Sequence, residues 1–179
     1  MHYYRSPESW TNFSRVSQHW RSSALSAPEL WTNLSVSHPR WAQEMLIRSK
    51  MAKLTIRSGL FFESSNPENI ETVRSCLYEM NRVKEIHLEI PIMILGQIFQ
   101  DLPKSAPQLH TLCIRNRWVC IGIEFSFDED FLCDTERLQR VELINCKISW
   151  YSPLLTGLTR LTLQDSLKAD SSIIQFCMH

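Results

Sequence analysis

Val83-Lys-Glu-Ile86-His-Leu88, Leu109-His-Thr-Leu112-Cys-Ile114, Leu138-Gln-Arg-Val141-Glu-Leu143 and Leu158-Thr-Arg-Leu161-Thr-Leu163 are four copies of one line. Each has an apolar residue, two of another kind, an apolar residue, one spacer and a final apolar residue. A looser copy, Met51-Ala-Lys-Leu54-Thr-Ile56, precedes them, and the first positions are separated by 32, 26, 29 and 20 residues. A strand alternates its side chains between two faces, so the last two apolar positions of each line share a side. Between the lines lie helical stripes. Asn66-Pro67 is a capping start, and Ile70, Val73, Leu77 and Met80 follow at helical spacing. After Pro91, Leu95, Ile98, Phe99 and Leu102 do the same, interrupted by Gly96. This alternation predicts an α/β fold with parallel strands.

The repeated line is the core line of a leucine-rich repeat, whose units stack because none can bury its apolar face alone. The expected architecture is a short solenoid of irregular repeats, with Leu112, Ile114, Val141, Leu143, Leu161 and Leu163 in one core. Cys146, ninth in its copy, is the expected turn residue after the strand. Asn116 stands one place early, which predicts an irregular turn there. Residues 117–136 break the rhythm, and Ile121, Ile123, Phe125 and Phe127 alternate as an added strand would. A last helix is expected near Ser171-Ser-Ile-Ile, with the solenoid truncated at its C-terminus for want of a polar cap.

At the front, Ser6 and Pro7 are a helix-start signal. Trp10, Phe13, Ser17, Trp20 and Ala24 fall on one helical face with Val16, and Pro28 ends the pattern. Trp20 and Trp31 are expected to be largely buried. Two readings are open for this face: packing against the solenoid, or a surface for a partner. A second helix, with Ser37 or His38 as cap and Pro39 in its first turn, carries Trp41, Met45, Leu46 and Ser49 on one side.

The stretch Phe13-Ser-Arg-Val16-Ser-Gln-His-Trp20-Arg21-Ser-Ser-Ala24-Leu25-Ser-Ala-Pro28-Glu-Leu30-Trp31-Thr-Asn-Leu34 resembles the C-terminal half of an F-box. It is most similar to the F-box-like proteins abundant in mushroom-forming fungi, with Ser17 where that family has Cys. Trp41 through Leu54-Thr-Ile56 is similar to the helix and strand joining that F-box to its repeats. The family's opening helix has no counterpart before Ser6, so the F-box reads as partial. The resemblance implies a partial F-box-like helical segment over 1–36 and a linker helix with a truncated solenoid over 37–179. It implies a substrate receptor of a Skp–cullin–F-box ubiquitin ligase. Phe13, Val16, Trp20, Arg21, Leu25, Pro28, Leu30 and Trp31 would face a Skp-type adaptor, with docking weak or lost. Arg115, Arg117 and Trp118 would face an unknown protein substrate, Arg and Trp being favoured anchors. They read equally as a strand-end cluster over the core edge. The alternative is a plain leucine-rich-repeat interaction module with no ligase role.

Composition narrows the classes. Lys+Arg and Asp+Glu both number 19, so net charge points to neither nucleic acid nor an anionic membrane. Residues 1–60 hold 8 basic and 3 acidic side chains, leaving 11 and 16 for the rest. No apolar stretch opens the chain as a secretory signal would, and the run Ile90–Phe99 is far short of the ~20 residues that span a bilayer. The six cysteines show no paired spacing, which suits reduced thiols in the cytoplasm or nucleus. Asp128, Asp130 and Asp134 fail as a calcium loop, because Cys133 stands where the tight turn needs Gly. No catalytic constellation, phosphate-cradling loop or zinc spacing is present, so an enzyme, a metal and a cofactor are not expected. A monomer is expected.

Overall fold

The computed structural model describes residues 17–58, 66–116 and 125–165, and the backbone of 172–177. In chain order the strands are β1 (Asn33–Ser35), β2 (Leu54–Arg57), β3 (Val83–Glu89), β4 (Thr111–Arg115), β5 (Ser126–Phe127), β6 (Arg140–Ile144), β7 (Lys147–Ile148), β8 (Arg160–Asp165) and β9 (Ser172–Cys177). The helices are α1 (Gln18–Ser26), α2 (Pro39–Arg48), α3 (Pro67–Leu77) and α4 (Ile92–Phe99). Strands β1, β2, β3, β4, β6 and β8 lie side by side, parallel and in chain order. β9 closes the far edge antiparallel to β8, and β5 pairs with β7 in a separate two-stranded sheet.

The repeated line explains this packing. Leu54, Ile56, Ile86, Leu88, Leu112, Ile114, Val141 and Leu143 are at most 1 % exposed and point into one core. Leu161 and the half-buried Leu163 complete the row on β8. Val83 and Ile86 both face inward although two residues separate them. The pairing of β2 with β3 slips there to allow it, taking Val83 and then Glu85 as partners while Lys84 is left out of the ladder.

Backbone bonds recur from junction to junction. The N–H groups of Gln139 and Arg140 both donate to the His110 carbonyl, as those of Thr159 and Arg160 do to Gln139. Just past the strands, the N–H groups of Val36, Ile90, Asn116 and Asn145 donate to Arg57, Arg115, Ile144 and Gln164. The turn after β6 belongs to Asn145 rather than to Cys146. Asn145 takes a left-handed φ of 55°, which Asn tolerates, and its Nδ2 donates to the Asn116 carbonyl at 2.7 Å. Asn116 is not early: Leu109 to Asn116 and Leu138 to Asn145 are the same interval.

The connections that cover the sheet shrink along the chain. α2, α3 and α4 pack side by side in the first three. Asn66 caps α3 by accepting from the Glu68 N–H at 2.9 Å, and Val73, Cys76 and Leu77 are fully buried. Gly96 does not break α4, which buries Ile92, Ile94, Leu95 and Ile98. Between β4 and β6 phenylalanines take over, with Phe99 edge-on to Phe127 and Phe131 at 5.7 and 5.0 Å. Between β6 and β8 the cover is one 3-10 turn, Pro153–Leu155, with Leu154 fully buried. Arg82 ties α2 to α3, donating to Ser49 Oγ and the Ala52 carbonyl at 3.0 Å and pairing with Glu79 at 2.8 Å.

Three further local expectations fail. Ser17 does not continue a longer helix; it is the extended N-cap of α1, accepting from the Trp20 N–H at 3.3 Å. Trp20 is 60 % exposed, whereas Trp31 is buried as expected. The segment after Ser171 is a strand, not a helix, because β-branched Ile173 and Ile174 suit pairing along the open edge of β8. Of the added strand expected over 121–127, β5 is the part within the described residues.

Candidate protein-binding surfaces

The positions between the inward leucines build one polar sheet face. Register sets them in three rows. Thr55, Glu85, Thr111, Arg140 and Arg160 form the first. Ser35, Arg57, His87, Cys113, Glu142 and Thr162 form the second. Glu89, Arg115, Ile144 and Gln164 form the third.

Charges on these rows pair across strands. Arg57 reaches Glu85 at 3.4 Å, and His87 Nε2 lies 3.3 Å from the same carboxylate. Arg115 bridges Glu89 at 3.3 Å and Glu142 at 2.6 Å, while Arg140 reaches the other Glu142 oxygen at 3.2 Å. Burial pushes the Glu142 carboxyl up, but the two guanidiniums outweigh it and hold it below the usual 4.5. Burial and the nearby Arg57 charge hold His87 below its usual 6.5 against the opposing pull of Glu85, so His87 is neutral at pH 7. Cys113 lies between His87 and Glu142, and burial raises its thiol to about 11. Burial likewise raises Cys76 and Cys146 to about 12, so all three stay protonated near neutrality.

The N-terminal end differs in character. α1 buries none of its residues, and Trp20, Leu25 and Leu30 are 60, 42 and 44 % exposed. Arg21 is exposed beside them and Pro28 half-buried. Trp31 is turned into the core. Its Nε1 donates to the Ala24 carbonyl at 2.8 Å, Trp41 meets it edge-on at 6.0 Å, and the Arg48 guanidinium lies 4.5 Å over its ring. That hydrogen bond ties the end of α1 to the rest of the molecule.

Of the residues singled out from sequence, Trp20, Arg21, Leu25 and Leu30 are each exposed, and Arg115 sits at the centre of the ionic rows. Phe13, Val16, Arg117 and Trp118 lie outside the described residues. Sequence reasoning missed Arg57, Glu85, His87, Glu89, Arg140 and Glu142. Stacking the four full lines and reading their third, fifth and seventh places as columns brings Glu85, His87, Glu89, Arg140 and Glu142 onto one face; Arg57 joins them because Ile56, rather than Leu54, pairs with Ile86.

Among the described residues no group of three or more His, Cys, Asp or Glu side chains is placed to hold a metal, and Asp130 of the acidic loop pairs with Lys104. No described helix is long and apolar enough to cross a membrane. The chain matches no family model, no curated protein and no solved structure.

Proposed function

We propose that this chain is a non-enzymatic protein-binding scaffold, a leucine-rich-repeat solenoid that holds a protein on its polar sheet face and works in the cytoplasm or nucleus. The observation that carries the reading is one backbone bond that recurs just past the strand at each junction. Six strands add in one direction, each bonded to the next by a like N–H donation just past the strand, and one side of the resulting sheet presents rows of polar side chains. Repeated units that stack on nearest neighbours generate extended surfaces of this kind. The F-box-like front extends the proposal: Trp20, Arg21, Leu25 and Leu30 dock a Skp-type adaptor, making the chain a substrate receptor of a Skp–cullin–F-box ligase. The exposure of Trp20, Arg21, Leu25 and Leu30 supports that role, since each is open to a partner.

Calorimetric titration against a Skp-type adaptor tests it. Because Trp31 is committed to the core, the docking face is small and the expected affinity is micromolar or weaker. Trp20→Ala is expected to weaken it by about tenfold, one contact of roughly 1.4 kcal/mol. Absence of binding removes the ligase connection and leaves a plain leucine-rich-repeat interaction module.

A further inference from the structure

The ionic rows divide the open face into two unlike parts. From β2 to β6 each arginine is matched by a glutamate: Arg57 by Glu85, Arg115 by Glu89 and Glu142, Arg140 by Glu142. On β8, Arg160, Thr162 and Gln164 point to the same face, beside Arg140, Glu142 and Ile144. Their side chains make no hydrogen bond or ion pair with any other described residue, and Arg160 is exposed.

Arg160 is moreover the direct register partner of Arg140. Neighbouring strands stand about 4.8 Å apart, so two guanidiniums are aligned on adjacent strands, an arrangement of like charges that is unfavourable until an anion joins it. Glu142 already serves Arg140 and Arg115 together, which leaves the charge of Arg160 over. Along β8, same-face residues recur about every 6.7 Å, the spacing of same-side groups in an extended peptide. The order of groups along that strip is a guanidinium, a hydroxyl and a carboxamide, every one able to donate.

We infer that the β8 side of the open face binds an acidic, extended segment of a partner protein, with one of its carboxylates held between Arg140 and Arg160. The inference rests on the reading of this face as a protein-binding surface and names the chemistry of what it holds. A planar carboxylate takes two parallel bonds from a guanidinium. A nucleic-acid backbone fits less well, because Glu85, Glu89 and Glu142 share the face and repel a continuous row of phosphates.

Fluorescence anisotropy with labelled hexaglutamate, hexalysine and oligothymidine probes tests the inference. Hexaglutamate is expected to bind, more weakly as salt rises. Arg160→Glu should weaken it by about tenfold or more and Arg160→Lys by less, since an ammonium keeps the charge and loses the fork. Arg160 is exposed and has no partner among the described residues, so the variants should melt with the parent. Equal affinity for hexalysine, tighter binding of oligothymidine, or an Arg160→Glu variant that binds hexaglutamate as the parent does would each overturn the proposal. Panning a displayed random-peptide library on the immobilised chain separates this failure from failure of the scaffold reading. Enrichment of peptides without acidic residues overturns the acidic specificity alone. No enrichment at all overturns both, and acidic peptides lost on Arg160→Glu support both.

Discussion

Helices α1 and α3 have 9 and 11 residues, and each is capped by a side-chain oxygen, yet the molecule uses them in opposite ways. α3 buries Asn69, Thr72, Val73, Cys76 and Leu77; α1 buries nothing. Isolated helices this short are marginal in water, so each must borrow stability from its surroundings. α3 gains it along a whole apolar stripe. Among the described residues, α1 draws on one hydrogen bond from the Trp31 indole and on the half-buried Ala24. The contrast separates apolar residues that hold the fold from apolar residues that are displayed. Both kinds look alike in sequence, and only their neighbours distinguish them.

The strongest way to break this comparison is at Leu77, which is fully buried at the end of the α3 stripe. Leu77→Ala is expected to cost about 2–5 kcal/mol, the lost transfer energy plus the cavity left behind. Urea denaturation measures it. A loss below ~0.5 kcal/mol would mean that α3 is no more integral than α1.

A smaller effect sharpens the same division on the sheet. Glu142 accepts from both Arg115 and Arg140, and its side chain is 9 % exposed. Glu142→Gln should cost about 1–3 kcal/mol at neutral pH, because two charge-assisted bonds lose their anion. The parent also carries a pH signature. A carboxyl held below its usual 4.5 contributes stability that is present above that value and is lost as pH falls through the lowered folded value. Denaturation midpoints of Glu142→Gln should therefore fall less steeply than the parent's below pH 4.5. Equal slopes would show that the arginines do not hold this carboxylate.

The parallel sheet was legible because the repeated line ties strand identity and facing together: an apolar residue at the fourth and sixth places of each copy leaves one workable orientation. Helix α3 was legible for the same reason, an apolar stripe behind an Asn-Pro start. The turn was misread by one place because Cys146 was set against a general position. The equal intervals to Asn116 and Asn145 within this chain are the better guide. Strand β9 was missed because Ser-Ser followed by apolar residues starts a helix or a strand equally well, and the open edge of β8 decides between them. For the candidate surfaces, the exposed group of α1 was visible one residue at a time. The ionic face was not, since its members come from four strands spread over 86 residues, from Arg57 to Glu142. Trp20 failed for a physical reason. A helical stripe specifies which residues share a side, and says nothing about whether that side meets the core or a solvent-facing surface.

Trp20 supplies the smallest expected change in stability and the sharpest test of the contrast. The residue is 60 % exposed, and no hydrogen bond or ring contact of its indole with another described residue anchors it. Substitutions at exposed sites without such features stay within about 0.5 kcal/mol. In a domain of this size each kcal/mol moves the melting temperature by roughly 2–4 °C, so Trp20→Ala should melt within about 2 °C of the parent. Its emission should report the same exposure: a red-shifted component, quenched readily by acrylamide, that diminishes in the variant, the exposed Trp150 keeping a share of it. Trp31→Ala is the internal control, because burial and the bond to Ala24 predict a loss of about 3–5 kcal/mol there. If Trp20→Ala destabilised the protein as much as Trp31→Ala does, α1 would belong to the folded core and its apolar face would not be free for a partner. A stable variant with lowered adaptor affinity would instead show that the residue serves binding and not folding.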